Sequence, residues 1–123
     1  TTAAGMLNEL AALDSEIALR RRIKFYAKPD VLVIDEVGYL SYSNRHADLL
    51  FEIINQRYEK KATMITTNKS FGEWSDIFPN ATCVVSIVDR LIHHSEIVNI
   101  KADSYRLKEA EEQRKKREAS TKK

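Results

Sequence analysis

Four consecutive apolar residues, Val31-Leu32-Val33-Ile34, run directly into two adjacent carboxylates, Asp35 and Glu36. A continuous apolar run of this length predicts a strand buried on both faces, as in a parallel sheet covered by helices. Such a strand delivers its last residues to the carboxyl edge of the sheet, where α/β proteins place their ligands. There Asp35 can hold Mg²⁺ through water, and Glu36 can polarise an attacking water. A strand that merely ends in two solvated acids is the plainer alternative.

The surrounding chain keeps the rhythm of such a sheet. Thr1 or Thr2 can cap a helix that carries Met6, Leu7, Leu10, Ala11 and Leu13 on one face. Asp14-Ser15 interrupts the pattern and can cap a second helix bearing Ile17, Leu19, Ile23 and Phe25, which Pro29 ends. Tyr39 to Asn44 reads as a loop, and Ser43 or Asn44 starts a helix with Ala47, Leu50, Phe51, Ile54 and Tyr58 inward. Ala62–Thr67, rich in β-branched residues, is the next strand, with Asn68 at its tip. Ser70 can cap a short helical turn through Trp74, and Pro79-Asn80 breaks the chain. Val84, Val85, Val88, Leu91 and Ile92 support a helix from Ala81 to His94. Glu96–Ile100 reads as a short strand, and Ser104 begins a last helix. Its far end, Glu109 to Lys123, has almost no apolar face and reads as a solvated tail that frays. This order predicts an α/β fold, a three-layer parallel sheet flanked by helices.

At 123 residues there is room for one domain with a modest core. No apolar run reaches membrane-spanning length, and no signal-peptide pattern opens the chain. One cysteine, Cys83, cannot form an internal disulfide, which suits a cytoplasmic location. Its apolar neighbours point to a buried small side chain, not a reactive thiol. The net charge of +2 is too small to argue for nucleic acid, but its distribution is uneven. Arg20, Arg21, Arg22 and Lys24 cluster on one helix, where they could meet DNA phosphates or form a solvated face. Arg114-Lys115-Lys116-Arg117 and Lys122-Lys123 form a second basic group, mixed with Glu109, Glu111, Glu112 and Glu118.

Four motifs then stand in order: VLVIDEVGYL from Val31, Thr66-Thr67-Asn68, Asp89-Arg90-Leu91-Ile92-His93-His94, and Asp103-Ser104-Tyr105-Arg106-Leu107. Together they resemble the IstB/DnaC group of AAA+ ATPases, with the nearer likeness to IstB, the ATP-binding helper of an insertion-sequence transposase. The likeness runs from Thr1 to about Lys108. It implies ATP and Mg²⁺ as cofactors, with Asp35 and Glu36 as a Walker B pair. By the same resemblance Asn68 takes the sensor 1 position, able to orient water or touch the γ-phosphate; a turn asparagine is the alternative. Arg90 looks like an arginine finger for a neighbouring subunit's site, where a planar guanidinium stabilises spread negative charge. An Asp89–Arg90 pair explains it poorly, because adjacent residues on a helix do not face one another. Arg106 matches the sensor 2 arginine, or is an ordinary surface arginine. The Arg20–Lys24 region lies near the family's DNA-contacting helices. A finger of this kind implies a homo-oligomer assembled head-to-tail. The resemblance also implies a transposase partner or, in a DnaC-like loader, a replicative helicase.

The family's phosphate loop is missing. The glycines are Gly5, Gly38 and Gly72, and no Gly-x-x-x-x-Gly-Lys-[Ser/Thr] occurs. That loop uses glycines to curl backbone N–H groups around phosphate. In the family it precedes this segment, so residues 1–108 read as the C-terminal part of an AAA+ domain, with 109–123 as a charged tail. The non-methionine Thr1 fits a chain that begins mid-protein. An interaction module without ATPase activity is therefore the third reading.

His93 and His94 suggest metal at first sight. Neighbouring helical side chains point about 100° apart, and no third ligand stands at useful spacing in the sequence. Zinc is therefore not expected, and a role at a subunit interface beside Arg90 is.

Overall fold

The computed structural model describes residues 1–39, 42–79, 81–101 and 105–121. Leu40, Asn80, Asp103, Ser104, Lys122 and Lys123, on which parts of the sequence reading rest, lie outside the described residues. The elements are α1 (Ala3–Ala11), α2 (Glu16–Ala27), β1 (Val31–Val37), α3 (Asn44–Arg57), β2 (Ala62–Thr67), a 3-10 turn (Phe71–Glu73), α4 (Trp74–Ile77), α5 (Ala81–His93) and α6 (Tyr105–Thr121).

Hydroxyl caps start the first three helices. Thr2 accepts from the Gly5 N–H, Ser15 from that of Ala18, and Ser43 from that of His46. At Ser43 the cap is reciprocal, since Nδ1 of His46 accepts the Ser43 N–H, doing the work usually given to glutamate. Ser70, expected to cap the next turn, makes no such bond; its hydroxyl donates to Glu73.

β1 and β2 pair in parallel, Val31 with Ala62 through Ile34 with Ile65. The start of the chain lies along the other edge of β1: the Thr1 nitrogen donates to the Val33 carbonyl, and the Asp35 N–H to the Thr1 carbonyl. The α/β class with a parallel sheet flanked by helices is as expected. The burial of β1 is not. Leu32, Ile34 and Val37 are in the core, but Val31 is 59% exposed and Val33 39%, beside Met64 at 58%. The described helices cover one face of this sheet, so alternate residues stay wet.

Helix α3 forms the centre of the core. Leu49, Leu50, Ile53 and Ile54 pack with Met6, Leu7 and Leu10 of α1, Ile23 and Tyr26 of α2, and Val84 and Ile87 of α5. On α2 the inner stripe is Leu19, Ile23 and Tyr26, at helical spacing, while Ile17 and Phe25 face outward. This corrects the expected face: Tyr26 is drawn inward because its hydroxyl still reaches Glu9 at 3.0 Å. Tyr42, Trp74 and Phe78 close the core beyond the carboxyl end of β1.

Arg57 is the one charged side chain buried among the described residues. Its guanidinium donates to the carbonyls of Tyr26, Ala27, Pro29 and Ala62 and to the Thr63 hydroxyl, between 2.6 and 3.1 Å. It thereby joins the end of α2 and the start of both strands to the end of α3.

One expectation at the far end changes. Residues 95–100 contain no strand; Ile97, Val98 and Ile100 are exposed, with no neighbouring strand to pair among the described residues. The last helix is present as α6, from Tyr105 to Thr121, with no buried residue. No described helix is long and apolar enough to cross a membrane.

Candidate functional site

The two carboxylates sit on a β-bulge. From Ile34 to Val37, β1 takes one more residue than β2 takes from Ile65 to Thr67. Glu36 absorbs the extra residue with a left-handed backbone, φ +64°. For a side chain with a Cβ that conformation costs about 1–2 kcal/mol. The bulge breaks the alternation, so Asp35 and Glu36 are both exposed while Val37 returns to the core.

Thr66 fastens the bulge. Its hydroxyl accepts the Glu36 N–H at 2.9 Å and donates its proton to Oδ1 of Asp35. Thr67 repeats the stitch one residue later, donating to the Val37 carbonyl at 2.6 Å and accepting the Lys69 N–H. Gly38 follows with φ +100°, and a Cβ there would lie 3.0 Å from Oδ1 of Asn68. Only glycine lets the end of β1 pass so close to that amide. Asp35, Glu36 and Asn68 are therefore brought to one edge, as expected. The sequence reading placed Thr66 and Thr67 in a motif with Asn68 but gave them no role; the signal was two hydroxyls in β2 aligned with the carboxylates of β1.

This edge offers a fixed acceptor, the Asp35 carboxylate, next to a free Glu36 carboxylate and an amide. Such a set suits a hard cation bound through water and a water molecule in need of orientation.

Arg90 is not part of that group. Its Nε donates to Oδ1 of Asn55 at 3.1 Å, and its guanidinium lies 5.0 Å from the Phe51 ring centroid. Asp35 lies roughly 13 Å along β1 from Val31, whereas Arg90 of α5 lies beside the end of α3, whose Arg57 meets the start of both strands. Arg106 is exposed on α6 and makes no described hydrogen bond or ion pair with Asp35, Glu36 or Asn68.

The basic cluster on α2 divides. Arg22 is used inside the fold, paired with Glu9 and lying 3.9 Å over the Phe25 ring. This contact holds the Glu9 carboxyl below its ordinary value. Arg20 pairs with Glu16 at 2.7 Å. Arg21 and Lys24 remain exposed, with no ion-pair partner among the described residues. Cys83 packs half-buried on α5, its thiol donating to the Ala47 carbonyl, and burial pushes its pKa up.

The histidine pair departs from the sequence reading. His93 is the last residue of α5, and His94 already leaves the helix, so the rings converge to 4.1 Å between centroids. A third ligating group does accompany them: Glu59, whose Oε1 lies 2.8 Å from Nε2 of His94 and 3.9 Å from Nδ1 of His93. It comes from just past α3, too far along the chain for any motif spacing to reveal.

A family sequence model described as "IstB-like ATP binding protein" matches residues 1–113. The chain is 44% identical over 108 residues to "Insertion sequence IS5376 putative ATP-binding protein" of Geobacillus stearothermophilus, covering 88% of this chain and 43% of that protein. It is 39% identical to "Insertion sequence IS21 putative ATP-binding protein" of Pseudomonas aeruginosa over 85% of the chain and 39% of the relative. A Bacillus thuringiensis protein, "Insertion sequence IS232 putative ATP-binding protein", is likewise 39% identical over 85% of the chain and 42% of its own length. The chain thus spans about two fifths of the length of these curated relatives.

Proposed function

Because the chain belongs to the family of IstB-like ATP-binding proteins, we propose that it supplies the metal- and water-handling edge of an ATP site in a transposition helper. The observation that carries this reading is the Thr66 hydroxyl, which fixes Asp35 and the Glu36 backbone together beside Asn68. Asp35 would hold Mg²⁺, which would supply positive charge to the phosphate oxygens. Glu36 accepts a proton from the attacking water, and Asn68 orients that water or meets the γ-phosphate. The phosphates themselves need a cradle of backbone N–H groups, and the sequence contains no Gly-x-x-x-x-Gly-Lys-[Ser/Thr] to provide the usual one.

Arg90 acts on a neighbouring subunit's nucleotide. Its position beside the end of α3 supports this, since it makes no described contact with its own carboxylates. Such a contact is heterologous and builds a head-to-tail assembly. Arg106 serves as the sensor 2 residue, and Arg21 and Lys24, with Arg20, touch DNA phosphates. The partner is a transposase. The relatives' names all refer to insertion sequences, which favours transposition over helicase loading.

A chimera tests the site. Residues 1–108 of this chain replace the matching segment of the Geobacillus relative, and Mg²⁺-dependent ATP turnover is measured. The chimera should hydrolyse ATP, and Glu36→Gln should slow it about 100-fold or more while a non-hydrolysable analogue still binds. Turnover undiminished by Glu36→Gln would remove Glu36 from the mechanism. The 123-residue chain by itself should show background hydrolysis only.

A further inference from the structure

Helices α3 and α5 run in the same direction, since Cys83 meets Ala47 near their starts and Arg90 meets Asn55 near their ends. Their carboxyl termini therefore converge. Each terminus carries unpaired carbonyls and partial negative charge, so the junction favours a cation. Into this junction project Glu59, His93 and His94, whose ligating atoms all lie within 4.8 Å of one another.

Glu59 is there against local preference. It follows the α3 cap residue Tyr58 and has φ +57°, the left-handed position that helices usually give to glycine. An acid at a helix carboxyl terminus also opposes the dipole. Two local rules are broken in one residue, and its carboxylate then turns to the histidine pair. Such conflicts mark positions held for a purpose beyond folding.

We propose that Glu59, His93 and His94 bind a divalent transition-metal ion of the zinc type, tying the end of α5 to the end of α3. The donor set is two imidazoles and one carboxylate, which suits zinc; magnesium takes oxygen ligands. At Zn–N and Zn–O distances near 2.0–2.1 Å, tetrahedral ligand atoms lie roughly 3.3 Å apart. The observed separations of 2.8 and 3.9 Å bracket that value, within reach of small side-chain rotations. Tyr58, whose hydroxyl meets Nδ1 of His93, yields that lone pair to the ion. Arg90, one turn before the histidines, would be held in place by the same clamp. Two basic groups nearby are engaged elsewhere: Arg90 with Asn55, its guanidinium 5.9 Å from the Tyr58 ring centroid, and Lys61 with Asp30.

The test is calorimetric titration of the chain with ZnCl₂ in a non-chelating buffer, followed by visible absorption with Co²⁺. One equivalent of zinc should bind, and magnesium in excess should not displace it. Glu59→Gln and His94→Ala should each weaken uptake by at least about tenfold, with far-UV dichroism unchanged. Asp35→Asn, at the other end of the sheet, should leave zinc uptake intact. No saturable zinc uptake would overturn the proposal. So would uptake that Glu59→Gln leaves unchanged, because the ion would then sit elsewhere and the cluster would be a hydrogen-bonded helix clasp only.

Discussion

Thr66 gives its hydroxyl proton to Oδ1 of Asp35 across the parallel sheet, and in doing so it orients that carboxylate. The same oxygen atom of Thr66 accepts the Glu36 N–H, so one side chain of β2 sets both acids of β1. A valine in its place keeps the shape and β-branching but drops both bonds. Thr66→Val should cost about 1–2 kcal/mol in urea denaturation. In the chimera it should also weaken Mg²⁺-dependent turnover, because Asp35 is then free to rotate.

Arg57 should be the most sensitive polar position in the fold. Removing its guanidinium leaves four carbonyls short of a donor, that of Tyr26 in a buried position and the others part-buried. Arg57→Met should lower stability by about 3 kcal/mol or more, read from the urea midpoint at unchanged slope. Arg57→Lys should recover only part of the loss, since an ammonium lacks the fork that reaches both α2 and β2.

Glu59 separates folding from binding. Glu59→Gly relieves the left-handed backbone and removes an acid from a helix carboxyl end, so the metal-free protein should gain about 1 kcal/mol. Zinc should then no longer raise the melting temperature. A variant stabilised in the apo state and still stabilised further by zinc would contradict this.

Acid should weaken the α1–α2 contact. Hydrogen bonding to Arg22 lowers the Glu9 pKa below its ordinary 4.5, against a smaller opposing effect of burial. Folding therefore favours the ionised form, and its contribution is complete above about pH 4.5 and lost as pH falls through the lower folded value. The Asp30 carboxyl, lowered by Lys61, behaves the same way from its ordinary 3.8. Glu9→Gln should flatten the acid limb of a stability-against-pH curve by lowering the neutral plateau, while leaving stability in acid nearly unchanged.

The helices were readable because their signals are local. Ser15 and Ser43 are hydroxyl caps a few residues from the N–H groups they serve, and the apolar spacing of α1 and α3 repeats along the chain itself. The strand ending in Asp35 and Glu36 was readable for the same reason, as were the four ordered motifs that point to the family.

Other features depend on partners far along the chain. Glu96–Ile100 has strand-like residues, yet a strand exists only where a neighbour offers its backbone, and none does among the described residues. Val31 and Val33 read as buried on hydrophobicity, but burial depends on what covers a face. Glu36 as a bulge residue follows from a register between β1 and β2, not from its own identity.

The sequence by itself determined the alternation of helix and strand, the acids at the tip of β1 and the family. Tertiary structure alone decided that Thr66 holds those acids, that Arg57 gathers carbonyls from two elements, and that Glu59 meets His93 and His94. The physical reason is one of distance along the chain. Periodicity and capping act within a turn or two, whereas these three contacts join residues about 30 positions apart, brought together only when the core around α3 has packed.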